Sequence, residues 1–314
     1  MARQTLTNAA SHVRKSARGY PLLESAINLV DTLRHPELSA RRAVLADAAR
    51  IRSDLQRAAG KGDIPELLVA DGETWLKRDQ AWFAARVETL PLLFADFEDR
   101  EAAELARLVR PNGRFVDIGA NFGLHSILLA TRFPDLNVDA FEPVPETVAL
   151  LRTNAARNGC TRIDVHAVAV SDREGEVAIT SGLATGNHIV PAYRSLITPE
   201  AIRVQSVSLD VFWQRKGRPP VDAVKVDVEG AEWNVIRGGK DFFSQTPVLL
   251  IELVDEWLRR FEHTTAECVA LLREYGYQFA RPIGTGRDAD WSDLSDFRPA
   301  PAGNFLFSRS PTSR

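Results

Sequence analysis

The short apolar run Phe115 to Ile118 breaks directly into Gly119-Ala120-Asn121-Phe122-Gly123, and a helical pattern follows through Leu128. A strand that turns on a glycine-rich loop into a helix leaves the chain few options. It opens a parallel sheet, because a parallel neighbour is reached only through a crossover that is usually a helix. Gly119 permits a tight turn, and Gly123 lets the helix pack close to the sheet. Asn121 stands where many nucleotide-binding loops have a middle glycine, and Asn tolerates the left-handed backbone better than most residues.

The alternation continues to the C-terminus. Apolar strands are predicted at Val138–Phe141, Ile163–Val170, Val221–Val226 and Val248–Ile251, with late strands at Tyr277–Ala280 and Asn304–Phe307. Between them lie a helix over 145–157, ending at Asn158-Gly159, and another over 264–275. An amphipathic helix carrying Ala102, Leu105, Ala106 and Val109 precedes the first strand. The pattern is that of an α/β domain with a doubly wound, mostly parallel sheet, occupying residues 96–314.

Residues 1–95 read differently, as a mainly helical extension. Helical spacing recurs over 22–33 and 37–59, then Gly60-Lys61-Gly62-Asp63 breaks it. Trp75, Trp82, Phe83, Leu92, Leu93 and Phe94 form an aromatic, apolar stretch that either packs or walls a substrate pocket. Residues 1–23 carry Arg3, Arg14, Lys15 and Arg18 without an acid, which suits a solvated basic tail or peripheral contact with an anionic membrane.

Composition narrows the function classes. The 314-residue chain has a net charge of −3, which speaks against a general nucleic-acid binder. Its two cysteines, Cys160 and Cys268, are far apart and fit reduced thiols in the cytoplasm. No run approaches the roughly 20 apolar residues of a membrane span. No His, Cys and acid spacing suggests a metal site.

Acids mark the ends of the predicted strands. Asp117 sits at the tip of the first strand, where it would repel a pyrophosphate but suits the ammonium group of S-adenosylmethionine; a helix-capping acid is the alternative. Glu142, 23 residues beyond Gly119, can accept from both ribose hydroxyls, as in nicotinamide enzymes too. Asp227-Val228-Glu229-Gly230-Ala231-Glu232 follows the fourth strand directly. The first and fourth strands flank the switch in strand order, so Asp227 and Glu229 project toward the crevice of the glycine loop. Glu232, in the first turn of a helix, is as well placed to favour the dipole as to act. Asp172 could accept from an adenine amino group or simply close a turn. His188, in a loop, is a further candidate base.

Five segments together resemble the FkbM-type methyltransferase family. They are Phe115 to Leu129, Ala140-Phe141-Glu142-Pro143, Val168-Ala169-Val170-Ser171-Asp172 with Gly175, Ser208-Leu209-Asp210, and Lys225 to Glu232. The resemblance runs over roughly residues 96–307. It implies a class I methyltransferase fold, S-adenosylmethionine as donor, and a hydroxyl of a sugar, glycan or polyketide-type product as acceptor. The expected cofactor set is then Asp117, Gly119, Asn121, Gly123, Glu142 and Asp172, and the expected catalytic set Asp227, Glu229 and His188. A nicotinamide-dependent oxidoreductase and a non-catalytic binding protein on the same fold are the competing classes. Asp117 and the incomplete GxGxxG count against the first, and the set Asp117, Glu142, Asp227 and Glu229 counts against the second.

Overall fold

The computed structural model describes residues 66–70, 73–84, 89, 93, 98–180, 187, 189–190, 201–283 and 290–310. The chain divides into two compact units, with the boundary between Phe97 and Glu98. In the first, β1 (Leu67–Ala70), β2 (Glu73–Arg78) and β3 (Ala81–Ala84) form an antiparallel sheet in that order. Trp75 and Phe83 are buried there. This described part of the N-terminal segment is therefore β, not the helical structure expected of the segment as a whole. The helices expected over 22–33 and 37–59, and the basic stretch 1–23, lie outside the described residues.

The second unit begins with α1 (Asp99–Leu108), whose buried side includes Glu101 and Leu105. Then come β4 (Arg114–Ile118), α2 (Leu124–Arg132), β5 (Asn137–Phe141), α3 (Pro145–Arg157) and β6 (Ile163–His166). Pro145 occupies the first turn of α3, where its missing N–H costs nothing. Four further strands follow: β7 (Ala169–Val170), β8 (Gly175–Thr180), β9 (Ile189–Val190) and β10 (Ala201–Val207). After α4 (Leu209–Arg215) the chain forms β11 (Ala223–Val226), α5 (Glu232–Arg237), α6 (Lys240–Gln245) and β12 (Val248–Val254). The last elements are α7 (Asp255–Leu258), α8 (Thr265–Glu274), β13 (Phe279–Ile283), β14 (Ser292–Asp293) and β15 (Ala302–Ser308). Thr264 and Glu267 close a reciprocal capping box at the start of α8.

The central sheet has the order β14-β13-β15-β12-β11-β4-β5-β6. Strands β6, β5, β4, β11 and β12 are mutually parallel, and β15 runs antiparallel to β12. Both faces are covered by apolar clusters, one around Val224, Ile251 and Phe243, the other around Phe115, Leu105 and Leu250. The chain winds from β4 out to β6 and returns to place β11 on the other side of β4, so the switch lies between β4 and β11.

The predicted third strand is two strands. His166 ends β6, and its carbonyl accepts from Val168 N (2.9 Å) and from Glu142 N (3.1 Å), which turns the chain sharply. Beyond the turn β7 joins a separate sheet of order β7-β10-β8-β9. The His166 ring is held by Asp139 at 2.9 Å and stacks on Phe141.

Candidate active site

At the switch the register pairs Lys225 with Asp117 and Val226 with Ile118. The loops leaving β4 and β11 pack backbone to backbone. A Cβ on Gly119 would lie 1.7 Å from the Asp227 carbonyl oxygen, so no other residue fits without moving the second loop. Gly119 also has φ of +79°, a region open mainly to glycine. Asn121 takes the left-handed conformation that the sequence suggested, with φ of 52°, and its Oδ1 accepts from Phe122 N at 2.8 Å. Gly123 caps α2, and a Cβ there would meet Ile127 and Leu151, so the close approach it permits is to α3.

Glu142 reaches back over this loop. Its Oε2 accepts from Asn121 N at 3.1 Å and its Oε1 from Val144 N at 2.9 Å. Each carboxylate oxygen has a second lone pair, so capacity for two further donors remains. Burial pushes the Glu142 carboxyl up to about 7, against the pull of those two backbone N–H groups. Asp117 is 1% exposed. Its Oδ2 accepts from Ser126 Oγ at 2.6 Å, while Oδ1 is buried with no donor among the described residues. Burial raises its proton affinity, opposed by the charge of Lys225.

The loop after β11 is strained and tied. Glu229 has φ of 58°, which costs a non-glycine residue about 1 kcal/mol or more. Gly230 follows at φ 113°, with Trp257 O 2.8 Å from where its Cβ would be. Glu232 holds this loop from within: its Oε1 accepts from Gly230 N at 3.0 Å and Val228 N at 3.2 Å. It is 2% exposed and its carboxyl is pushed by burial to about 7. Its position in the first turn of α5 matters less than this grip on the preceding loop.

Lys225 is the buried cation at the centre, and its Nζ lies 2.9 Å from Asp227 Oδ2. Burial works against its charge, but Asp227, Glu98 and Asp117 more than offset that and raise its proton affinity. Glu98 comes from the start of α1, and its Oε2 is 3.5 Å from His125 Nε2. Burial lifts its carboxyl to about 7. Glu229 stands at about 8, first through burial and then through the charges of Asp227 and Glu232. Glu252 on β12 stands at about 9, first through burial and then through Asp227 and Glu229.

The structure thus gathers Asp117, Gly119, Asn121, Gly123, Glu142, Asp227 and Glu229 at the carboxyl ends of β4, β5 and β11. For Asp172 the structure shows the turn that the sequence offered as its alternative role. Asp172 follows β7 in the separate sheet and accepts from Ser171 Oγ at 3.3 Å, the arrangement of a turn. The Ser171 carbonyl packs on Gly238, where a Cβ would lie 2.2 Å away. His188 lies outside the described residues. Glu98 and Glu252 are the acids that sequence reasoning missed. Glu98 reads as one of several acids at a helix start. Glu252 did carry a signal, since it interrupts an otherwise apolar strand. Among the described residues no group of three His, Cys, Asp or Glu is arranged to hold a metal ion. A cavity of about 590 Å³ lined by Trp213, Arg218, Val221 and Thr246 opens at the other end of β11 and β12, away from these acids.

A sheet in which β6, β5, β4, β11, β12 and β13 run one way, with β15 reversed between β12 and β13 and acids at the switch, has the class I methyltransferase topology. Residues 117–279 match the Methyltransferase FkbM domain, and the chain belongs to that family. It is an S-adenosylmethionine-dependent methyltransferase. Among its relatives is the 2-O-methyltransferase NoeI of Sinorhizobium fredii, 28% identical over 48% of this chain and 67% of that protein. Another is the 31-O-demethyl-FK506 methyltransferase FkbM of Streptomyces tacrolimicus, 28% identical over 54% of this chain and 74% of that protein. The hexuronic acid methyltransferase AglP of Haloferax volcanii is 29% identical over 44% of this chain and 54% of that protein.

The residues present fit the cofactor on structural grounds. A buried Asp117 oxygen has no donor among the described residues, Glu142 retains acceptor capacity beside the glycine loop, and the carboxylates around Lys225 outnumber it. Such a site favours a ligand carrying positive charge and hydroxyl donors.

Proposed function

We propose that this chain methylates a hydroxyl oxygen of a sugar, glycan or polyketide-type alcohol, with Glu229 receiving the hydroxyl proton. The observation that carries the reading is the state of Glu229. It is a half-buried carboxylate at the switch point with no hydrogen-bond partner among the described residues and a carboxyl near 8. A base poised near the working pH is the efficient one. The relatives NoeI, a 2-O-methyltransferase, and FkbM, a 31-O-demethyl-FK506 methyltransferase, support it.

S-adenosylmethionine supplies an activated methyl group on a sulfonium, which leaves as a neutral thioether. The protein's task is therefore alignment and proton removal. In this reading Glu142 holds the ribose hydroxyls, and Asp117 faces the ammonium. Gly119, Asn121 and Gly123 shape the loop that seats the ligand. Asp227 is fixed by Lys225, whose Nζ holds its Oδ2, and serves as an orienting charge. Glu232 positions Glu229 by clamping the loop on either side of it. His188 is retained as a group that could close on the acceptor. The free thiols Cys160 and Cys268 suit a reducing cytoplasm, and the net charge of −3 suits an acceptor other than nucleic acid. No described helix is long and apolar enough to cross a membrane.

The test is Glu229→Gln. Turnover should fall by about 10²–10⁴-fold while S-adenosylhomocysteine binds as before. Near-normal turnover in the folded variant would remove Glu229 from the reaction.

A further inference from the structure

Glu98 is held in a conformation that its own helix does not need. Its backbone is left-handed, with φ of 54°, a region that a side chain of this kind rarely adopts. It stands at the N-cap of α1, where Ser, Thr, Asp or Asn would accept from an unpaired N–H of the first turn. The Glu98 side chain makes no such bond. It turns inward instead and is 16% exposed, its Oε2 lying 3.5 Å from His125 Nε2, the outer limit of a hydrogen bond. Lys225 also faces it, but gives its short bond of 2.9 Å to Asp227. A strained backbone, a forfeited cap and a carboxyl drawn out of water therefore meet in one residue. Strain of this kind persists where the surrounding structure holds it for a function.

A second observation says what the carboxylate awaits. Asp117 is 1% exposed, and its Oδ1 is buried with no donor among the described residues. Its Oδ2 is bonded by Ser126, which follows His125 in the first turn of α2. Asp117 and Glu98 thus meet α2 at the same turn, and Glu98 feels the charge of Asp117. A group that satisfies both must carry positive charge and more than one hydrogen to donate. An ammonium does; a hydroxyl, with one hydrogen, does not.

We propose that Glu98 is a cofactor-binding residue, which with Asp117 receives the ammonium at the methionine end of S-adenosylmethionine. The inference rests on the reading of Asp117 given above. Glu98 lies upstream of the residues 117–279 that match the family, so it extends the cofactor site to the start of α1. The left-handed turn is what carries its side chain away from the helix end and toward α2.

The experiment uses the full chain at pH 8. Calorimetry compares S-adenosylhomocysteine with its analogue lacking the amino group, 5′-deoxy-5′-(3-carboxypropylthio)adenosine. The wild type should bind S-adenosylhomocysteine at least about tenfold more tightly. Glu98→Gln should weaken S-adenosylhomocysteine by about tenfold and should not weaken the analogue, because only the ammonium loses a charged acceptor. Glu98→Gly, whose backbone takes the left-handed turn freely, should show the same ligand-specific loss, and it decides the matter where Glu98→Gln fails to fold. An equal loss for both ligands, unchanged S-adenosylhomocysteine affinity, or failure of both variants to fold assigns Glu98 to the fold alone and overturns the proposal. Failure of the parent reading looks different. A preference for S-adenosylhomocysteine that survives Asp117→Asn but vanishes in Glu98→Gln removes Asp117 from the ammonium and keeps Glu98 there. A preference that vanishes in Asp117→Asn and survives Glu98→Gln does the reverse.

Discussion

Glu142→Gln separates two effects, the raised carboxyl seen in the structure and the ribose contact proposed above. The group is 7% exposed and its carboxyl lies at about 7, against an ordinary value of 4.5. A carboxyl raised in the fold binds its proton more tightly there than in the unfolded chain, so stability falls as pH rises from about 4.5 through about 7. At pH 8 the wild type should have lost about 3 kcal/mol on this account, and at pH 5 less than about 1 kcal/mol. Glutamine does not titrate. It keeps an acceptor for one of the N–H groups of Asn121 and Val144 and leaves the other poorly served, a cost of about 1–3 kcal/mol that does not vary with pH. The stability difference between variant and wild type should therefore move in the variant's favour by about 2–3 kcal/mol between pH 5 and pH 8. Urea titrations of both proteins at the two pH values measure it. In parallel, calorimetry at pH 8 should show S-adenosylhomocysteine affinity reduced by about 1.5–3 kcal/mol, the worth of hydrogen bonds to a charged acceptor. A stability difference that is the same at both pH values would refute the raised carboxyl. Unchanged affinity in the folded variant would refute the ribose contact.

Three further outcomes follow from the same geometry. The kcat/KM of the wild type should rise with pH toward a plateau with a midpoint near 8, because Glu229 acts only when ionised; a flat profile between pH 6.5 and 9 would count against it as base. Gly119→Ala puts a methyl group 1.7 Å from the Asp227 carbonyl, so S-adenosylhomocysteine binding should fall more than about 100-fold, with a lowered melting temperature, and a variant that binds normally would show that the two loops are not in contact. A chain beginning at residue 96 should fold and bind S-adenosylhomocysteine with wild-type affinity, since every acid of the site lies at Glu98 or beyond; calorimetry on that shortened chain decides it.

The alternation of apolar runs and helical stretches made the central sheet legible before any coordinates. The reason is that a strand covered on both faces is mostly apolar, and β4, β5, β11 and β12 each carry an apolar run broken by only one or two polar residues. The predicted helix over 145–157 coincides with α3 because Pro145 and Gly159 mark its ends. The smaller sheet was not legible. Its strand β8 runs from exposed residues to buried ones with no alternation, β10 alternates over only a few residues, and β7 is too short to declare itself. Reading 163–170 as one strand followed from apolar residues on both sides of the turn. That turn is made by backbone hydrogen bonds to His166 O, which no residue type announces.

The site was legible only where acids stood beside a recognisable strand end. Asp117, Glu142, Asp227 and Glu229 each leave a strand, so spacing alone places them together. What spacing cannot supply is which acids are occupied. Asp227 and Glu229 look equivalent in the sequence, two residues apart, yet Lys225 takes one and leaves the other. The pairing arises because Lys225 and Asp227 alternate onto the same face of β11, opposite Asp117 on β4. Glu229, three residues past the end of β11 in a left-handed turn, falls out of that alternation and makes no bond to the ammonium. Strain at one backbone position thus converts a repeated pattern of charge into a division of labour. On the function proposed above, the held carboxylates frame the cofactor cleft and Glu229 is left to meet the acceptor.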